Sequence, residues 1–243
     1  MKIQPQSGLG DLIFALPLID YLIQRGEAVT VATNHAFLLD MYAHTDLIHW
    51  EPVEINYGNP VVKREFTHLK YTRYKDHYFQ SYFYRGERKP LEDTAYMVGS
   101  NLYGFAKMQS PIKFDVSDAV LYAPPRATAR DKAKKIFPRA PDPKYAESRA
   151  SASGARVIVI GQNELFAPGV NVAHHESLLD KLNFWELVQV VWSAKAVVSQ
   201  VSMITALAGA LRKPTDFLPA KGESISQHAK HVSGVVWPNQ EVI

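Results

Sequence analysis

The sequence predicts an α/β fold of two successive units, each built on a mostly parallel sheet. Three observations carry this. The chain opens as strand, glycine turn, helix and strand over its first 33 residues. A second alternation of strands and helices starts near Val116. Strand, helix and strand in that order indicate parallel pairing with right-handed crossovers. The expected boundary lies near residue 112, giving units 1–112 and 113–243. The first unit carries a basic-aromatic insertion at 61–90.

The elements follow in order. Lys2–Pro5 reads as a short strand and Ser7-Gly8-Leu9-Gly10 as a turn. A helix is expected over Asp11–Arg25, because Leu12, Ala15, Leu16, Ile19, Leu22 and Ile23 recur at helical spacing. Pro17 should kink or shorten it, and Gly26 suits its end. The β-branched run Ala28–Thr33 is the next strand, and Leu47–His49 a third. Leu91–Lys107 looks helical.

In the second half, Ala119–Ala123 reads as a strand, Thr128–Phe137 as a basic helix or loop, and Arg139–Ser153 as partly loop. Arg156–Ile160 is a buried strand ending at Gly161. Phe184–Ala194 is a helix, with Asn183 and Glu186 spaced as a cap pair. Ala196–Ser199 is a strand, Ser202–Leu211 an alanine-rich helix, and Thr215–Leu218 a strand after Pro214.

Composition bounds the function. Hydrophobic residues make up 47 % of the 243, enough for an ordered core. With no cysteine, disulfides, thiolate metal sites and a cysteine nucleophile are excluded. The apolar stretch Leu12–Ile23 is broken by Pro17 and Asp20, too short for a membrane span and without the flanks of a signal peptide. A cytoplasmic protein is expected. The net charge of +3 is small, but 61–90 alone carries eight basic and three acidic residues, interleaved with eight aromatics.

Three constellations can carry chemistry. In Gly8-Leu9-Gly10-Asp11, two glycines let backbone approach a ligand at a strand's carboxyl end. Asp11 there can accept a proton from an attacking hydroxyl, or simply cap the helix. Position 13 is Ile13, so the dinucleotide fingerprint is incomplete and a dehydrogenase is disfavoured. The second is the insertion, with Lys70, Tyr71, Arg73, Tyr74, Lys75 and Arg85. Cations among aromatics suit a polyanion with stackable rings, either nucleic acid or a phosphorylated saccharide. The other reading is a strand pair with inward tyrosines and solvated cations. The third is histidine: His174-His175-Glu176, His228 and His231 do not match His-Glu-x-x-His. No metal site is expected.

Gly-Leu-Gly-Asp followed by Pro17 and a leucine-rich helix resembles the start of the ADP-heptose:lipopolysaccharide heptosyltransferases. Lys135-Ile136-Phe137-Pro138 is similar to that family's Lys-x-Trp-Pro segment, and Val157–Gly161 with Glu164 to its Gly-Gly-x-x-Glu strand end. From Leu187 to Pro214 the order of helix, Ala-Lys-Ala-Val-Val strand, small polar residue and alanine-rich helix continues the resemblance. It covers roughly 1–50 and 118–220. It implies a GT-B fold, two Rossmann-like domains facing a cleft, the first for the acceptor and the second for a nucleotide sugar.

The resemblance implies Asp11 as base, with Gly8, Gly10, Lys135, Gly161, Glu164, Ser202 and Met203 on the donor. The family's Asp-Ser/Thr-Gly-x-x-His donor loop is Val201, Ser202, Met203 and Ala206 here. Only the serine is kept, and the residue that contacts the donor sugar is replaced, so the transferred sugar is open. The phosphate site rests on simpler physics. Ser202 begins a helix whose free N–H groups and positive dipole end suit a diphosphate, and Lys135 adds a charge. Each also has a bland reading, as an N-cap and as a solvated surface lysine. No Asp-x-Asp is present. The expected activity is therefore an inverting, metal-independent glycosyl transfer without a resident cofactor. The acceptor is either a hydroxymethylated base in DNA, favoured by the dense aromatic-cation segment, or a phosphorylated lipid-saccharide core. A non-catalytic GT-B relic that binds nucleic acid or glycan is the reading from another class.

Overall fold

Ile3 and the run Val29–Ala32 are apolar or β-branched, which suits strands buried between helical layers. They form β1 (Lys2–Ile3) and β2 (Val29–Ala32), parallel, with Ile3 opposite Val31. β3 (Ile48–Glu51) pairs parallel with β2, Val31 facing Trp50, in the order β1-β2-β3. In this computed structural model the described residues are 2–3, 5, 8–52, 88–124, 143–161, 175–200, 202–217 and 241–242.

α1 (Leu9–Gln24) joins β1 to β2. It starts two residues before the expected Asp11, so Leu9, Gly10 and Asp11 form its first turn and only Gly8 stands outside. Pro17 does not shorten it. Leu12, Ile13, Leu16 and Ile19 are fully buried, and that burial outweighs the one backbone bond a proline removes. Gly26, at φ +74, turns the chain after the helix, a conformation that favours glycine. A 3₁₀ segment (Ala36–Tyr42) follows β2 and packs against β3.

The chain divides into compact units Met1–Asn101 and Leu102–Ile243. The division falls inside α2 (Arg88–Gln109), about ten residues before the position expected near 112. The reason lies in the helix's last turns. Tyr103 stacks on Trp192 with centroids 4.3 Å apart, and Phe105 meets Trp185 edge-on at 5.1 Å. The Gln189 amide nitrogen, buried, donates to the carbonyls of Ala106 and Ser110 at 3.0 Å each. The Ser110 carbonyl, past the helix end, has no intrahelical donor and takes this one instead, while the Ala106 carbonyl also accepts the Ser110 N–H at 3.1 Å.

The second unit holds six parallel strands: β4 (Ala119–Ala123), β5 (Arg156–Val159), β6 (Glu176–Ser177), β7 (Ala196–Ser199), β8 (Thr215–Phe217) and β9 (Glu241–Val242). Their order is β6-β5-β4-β7-β8-β9. Val120, Tyr122, Val157, Val159, Ala196 and Val198 share one face. α3 (Lys144–Ala152) covers it with Ala146 and Ala150. This helix takes up most of the described part of 139–153, a stretch expected to be partly loop. Two alanines four residues apart give a narrow seat that lets the helix lie close to the sheet. The alternate residues Leu121, Ile158 and Val197 are equally buried. α5 (Met203–Ala210) packs on β7, β8 and α4 (Phe184–Ser193). The Asn183–Glu186 cap pair forms as expected: Glu186 N–H donates to Asn183 Oδ1 and Asn183 N–H to Glu186 Oε2, both at 2.9 Å.

Candidate functional site

In the first unit the chain leaves β1 and enters α1 through Gly8, whose φ of −84° and ψ of 148° any residue can adopt. The glycine leaves the Asp11 carboxylate room. A Cβ at position 8 would stand 3.0 Å from Asp11 Oδ2. Without it, the carboxylate folds back over the helix start and accepts the Gly8 N–H at 3.2 Å. The Asp11 N–H in turn donates to the Gly8 carbonyl at 3.1 Å. The close approach expected of Gly8 is therefore made to Asp11 itself. Asp11 does cap the helix, and the cap fixes its half-buried carboxylate beyond the carboxyl end of β1. Gly10 lies in the first helical turn rather than in a preceding turn.

In the second unit, β5 and β6 add to one side of β4, and β7, β8 and β9 to the other. The order reverses between β4 and β7. Open parallel sheets bind ligands outside the strand carboxyl ends at such a switch point. β7 ends there at Ser199, and Ser202 is the N-cap of α5. The Ser199 hydroxyl, buried, donates to the Gln200 carbonyl at 2.9 Å and lies 3.4 Å from the Ser202 hydroxyl. Thr205 Oγ accepts the Ser202 N–H at 2.9 Å and donates to the Ser202 carbonyl at 2.7 Å. A positive helix end and the Ser202 hydroxyl thus stand at the switch point, a geometry suited to an anion, while the Ser199 hydroxyl is committed to the Gln200 carbonyl. Met203 begins the helix, half-buried.

Gly161 follows β5 at φ 126°, a backbone that a side chain would strain. Its carbonyl accepts the Asp180 N–H at 3.0 Å. Lys135, Glu164, Lys70, Tyr71, Arg73, Tyr74, Lys75 and Arg85 lie outside the described residues, as do His174, His228 and His231.

Ser199 and Thr205 were not singled out in the sequence. Their signal is the spacing: a strand-ending serine, then Ser202, then a hydroxyl three residues into the helix. His175 and Glu176 are engaged with neighbours. His175 Nε2 is 3.0 Å from Glu147 Oε1, and Glu176 pairs with Arg156, which also holds Asp118 at 2.9 Å. Among the described residues no three His, Asp or Glu side chains group as metal ligands. No helix there is long and apolar enough to cross a membrane.

No protein-family model matches the sequence, and no curated protein matches it. Solved structures do match its fold. All of the chain aligns with 86 % of a glycosyl transferase family 9 protein from Veillonella parvula, at TM-score 0.53 and 11 % identity. All of it aligns with 92 % of the E. coli heptosyltransferase WaaC, solved with ADP, at TM-score 0.50 and 18 % identity. The heptosyltransferase TibC, solved with ADP-heptose, is covered over 61 % of its length by 99 % of this chain, at TM-score 0.51 and 14 % identity. The chain has the fold of the GT-B glycosyltransferases, heptosyltransferases among them, the fold expected from its sequence.

Proposed function

We propose that this protein is a glycosyltransferase that moves a sugar from a nucleoside-diphosphate sugar to an acceptor hydroxyl, with inversion and without a metal. One observation carries the reading: a carboxylate, Asp11, is held beyond the carboxyl end of β1 in a chain that aligns with a glycosyl transferase family 9 structure. In the reaction Asp11 takes the proton of the acceptor hydroxyl. The freed oxygen attacks the anomeric carbon, and the bond from that carbon to the diphosphate oxygen breaks with its electron pair. Ser202 and the α5 N-terminus, with Lys135, receive the negative charge, as fixed donors and dipoles aimed at a leaving group do.

Two acceptors belong to this proposal. The basic-aromatic segment 61–90 and the altered donor loop favour a hydroxymethylated base in DNA. The resemblance to the heptosyltransferases favours a phosphorylated lipid-saccharide core. A second reading, a relic that binds without catalysis, draws on the same donor loop, where Val201 and Met203 replace the family's acid and glycine. The test is a screen of UDP-, ADP- and GDP-sugars for transfer to hydroxymethylated DNA and to a deacylated phosphorylated core oligosaccharide. Transfer to either acceptor supports the enzyme. Thermal stabilisation by no nucleoside diphosphate, together with no turnover of any donor, refutes it and leaves the relic.

A further inference from the structure

The last turn of α2 and the chain just beyond it present apolar side chains to water. Met108 is 74 % exposed and Ile112 56 %. Lys107, Pro111 and Lys113 beside them are exposed as well. Leu102 and Ala106 are fully buried, so helical spacing turns Gly104, Lys107 and Met108 outward. A Cβ at Gly104 would meet nothing within 4 Å, which leaves this face bare. The strip is nonetheless held firmly. The Ser110 N–H bonds the Ala106 carbonyl at 3.1 Å, and the buried Gln189 amide holds the Ser110 carbonyl at 3.0 Å. Met108 and Ile112 therefore stand on either side of an anchored residue.

Partly buried rings border the strip. Met108 lies one turn past Phe105, whose ring meets Trp185, and Trp185 meets Phe184 at 5.0 Å. On the other flank Lys107 Nζ lies over the Tyr103 ring at 5.5 Å. Tyr103 stacks on Trp192, and Lys213 Nζ lies over Trp192 at 6.0 Å. Cations over rings keep their charge.

That charge decides what the strip suits. The runs 98–114 and 184–200 hold a single acid, Glu186, which is 5 % exposed and paired with Lys113. The acid that follows, Asp115, accepts the Ser117 hydroxyl at 2.8 Å. Lys107 and Lys213 leave the strip positive. A stable dimer buries about 800 Å² per partner, far more than two side chains and their surroundings supply, and two copies would bring like charges together. A nucleic-acid backbone would use the lysines and leave Met108 and Ile112 in water. An anionic bilayer uses both. Aliphatic side chains enter the acyl boundary, tryptophan and tyrosine suit the headgroup level, and lysines gain from the negative surface potential.

We propose that the strip from Tyr103 to Lys113, with Trp192 and Lys213, docks this protein reversibly on an anionic lipid surface. The docking stands apart from the glycosyltransferase reading and does not depend on it. With two apolar side chains and two uncompensated cations it is weak and falls with salt.

The test is co-sedimentation of the full chain with phosphatidylcholine vesicles, with and without phosphatidylglycerol, at low and high salt. Wild type should bind the anionic vesicles, and bind less as salt rises. Met108→Ser with Ile112→Ser should lower the partition coefficient roughly tenfold or more. Lys107→Gln should lower it about fivefold, the scale of one cation near a charged membrane. All three positions are exposed, so melting should barely move. A second readout uses the absence of cysteine from the chain. An environment-sensitive dye on Met108→Cys should shift to the blue with anionic vesicles, and the same dye on Ser151→Cys of α3 should not. No binding of wild type at low salt, full binding by the double variant, or a silent dye at position 108 overturns the proposal. So does a concentration-dependent dimer that the double variant abolishes, which would give the strip to a second copy. Retardation of DNA through Lys107 with vesicles ignored would give it to nucleic acid and overturn the proposal equally.

Discussion

Asp20 gives the first unit a stability that depends on pH. It lies in α1, 6 % exposed, and its Oδ2 has no hydrogen-bond partner, nor has the buried Tyr42 hydroxyl. Burial pushes its carboxyl up to about 6, while the Tyr42 hydroxyl and His44 pull it part of the way back. Tyr42 stands beside the carboxyl without completing a well-aligned bond, so loss of hydration dominates. The folded state therefore favours the protonated acid. Its contribution is fully present below the unfolded value near 3.8 and is lost as pH rises through about 6. The gap of about two pH units corresponds to about 3 kcal/mol above pH 7, and to about 1 kcal/mol near pH 4.5. Asp20→Asn keeps the shape and removes the ionisation. Urea unfolding of the two proteins should show the variant gaining about 2 kcal/mol on wild type between about pH 4.5 and pH 7.5. A difference that stays constant with pH, or that shrinks as pH rises, refutes the reasoning.

Three further outcomes follow from the geometry. Gly8→Ala fits its backbone but crowds the Asp11 carboxylate, so melting should move little while transfer drops by roughly ten- to a hundredfold, the cost of a small misplacement. Gln189→Leu leaves the Ser110 carbonyl without its buried donor, while Ala106 keeps the Ser110 N–H, and denaturant unfolding should register a loss of about 1–3 kcal/mol; a neutral result would mean that water replaces the amide. Lys135→Ala should weaken nucleoside diphosphate binding roughly tenfold with the fold intact, and calorimetry showing equal affinity would remove Lys135 from the donor site.

What was legible in the sequence was local. The cap pair Asn183–Glu186, the strand Ala196–Ser199 and the helix after Ser202 are written in neighbouring residues, and they form nearly as read. α3 was hidden because Pro, Ala and Ser around 139–153 mimic a loop, although Ala146 and Ala150 stood at helical spacing. β6 and β9, two residues each, are too short to show any period. The reversal of strand order between β4 and β7 joins segments more than seventy residues apart, and no window of sequence contains it. In the candidate site, Asp11 and Ser202 followed from glycine and cap patterns. Ser199 did not, because its place beside Ser202 at the switch point comes from the strand order.

The central claim is that Asp11 is a base and not only a cap. Asp11→Asn keeps the side chain's size, and Asn caps a helix about as well as Asp. Transfer from the nucleotide sugar that the screen identifies, measured beside donor affinity, separates the roles. The account predicts a fall in turnover of about 10²–10⁴, the range of general base catalysis, with donor affinity unchanged. Full turnover in Asp11→Asn would contradict it.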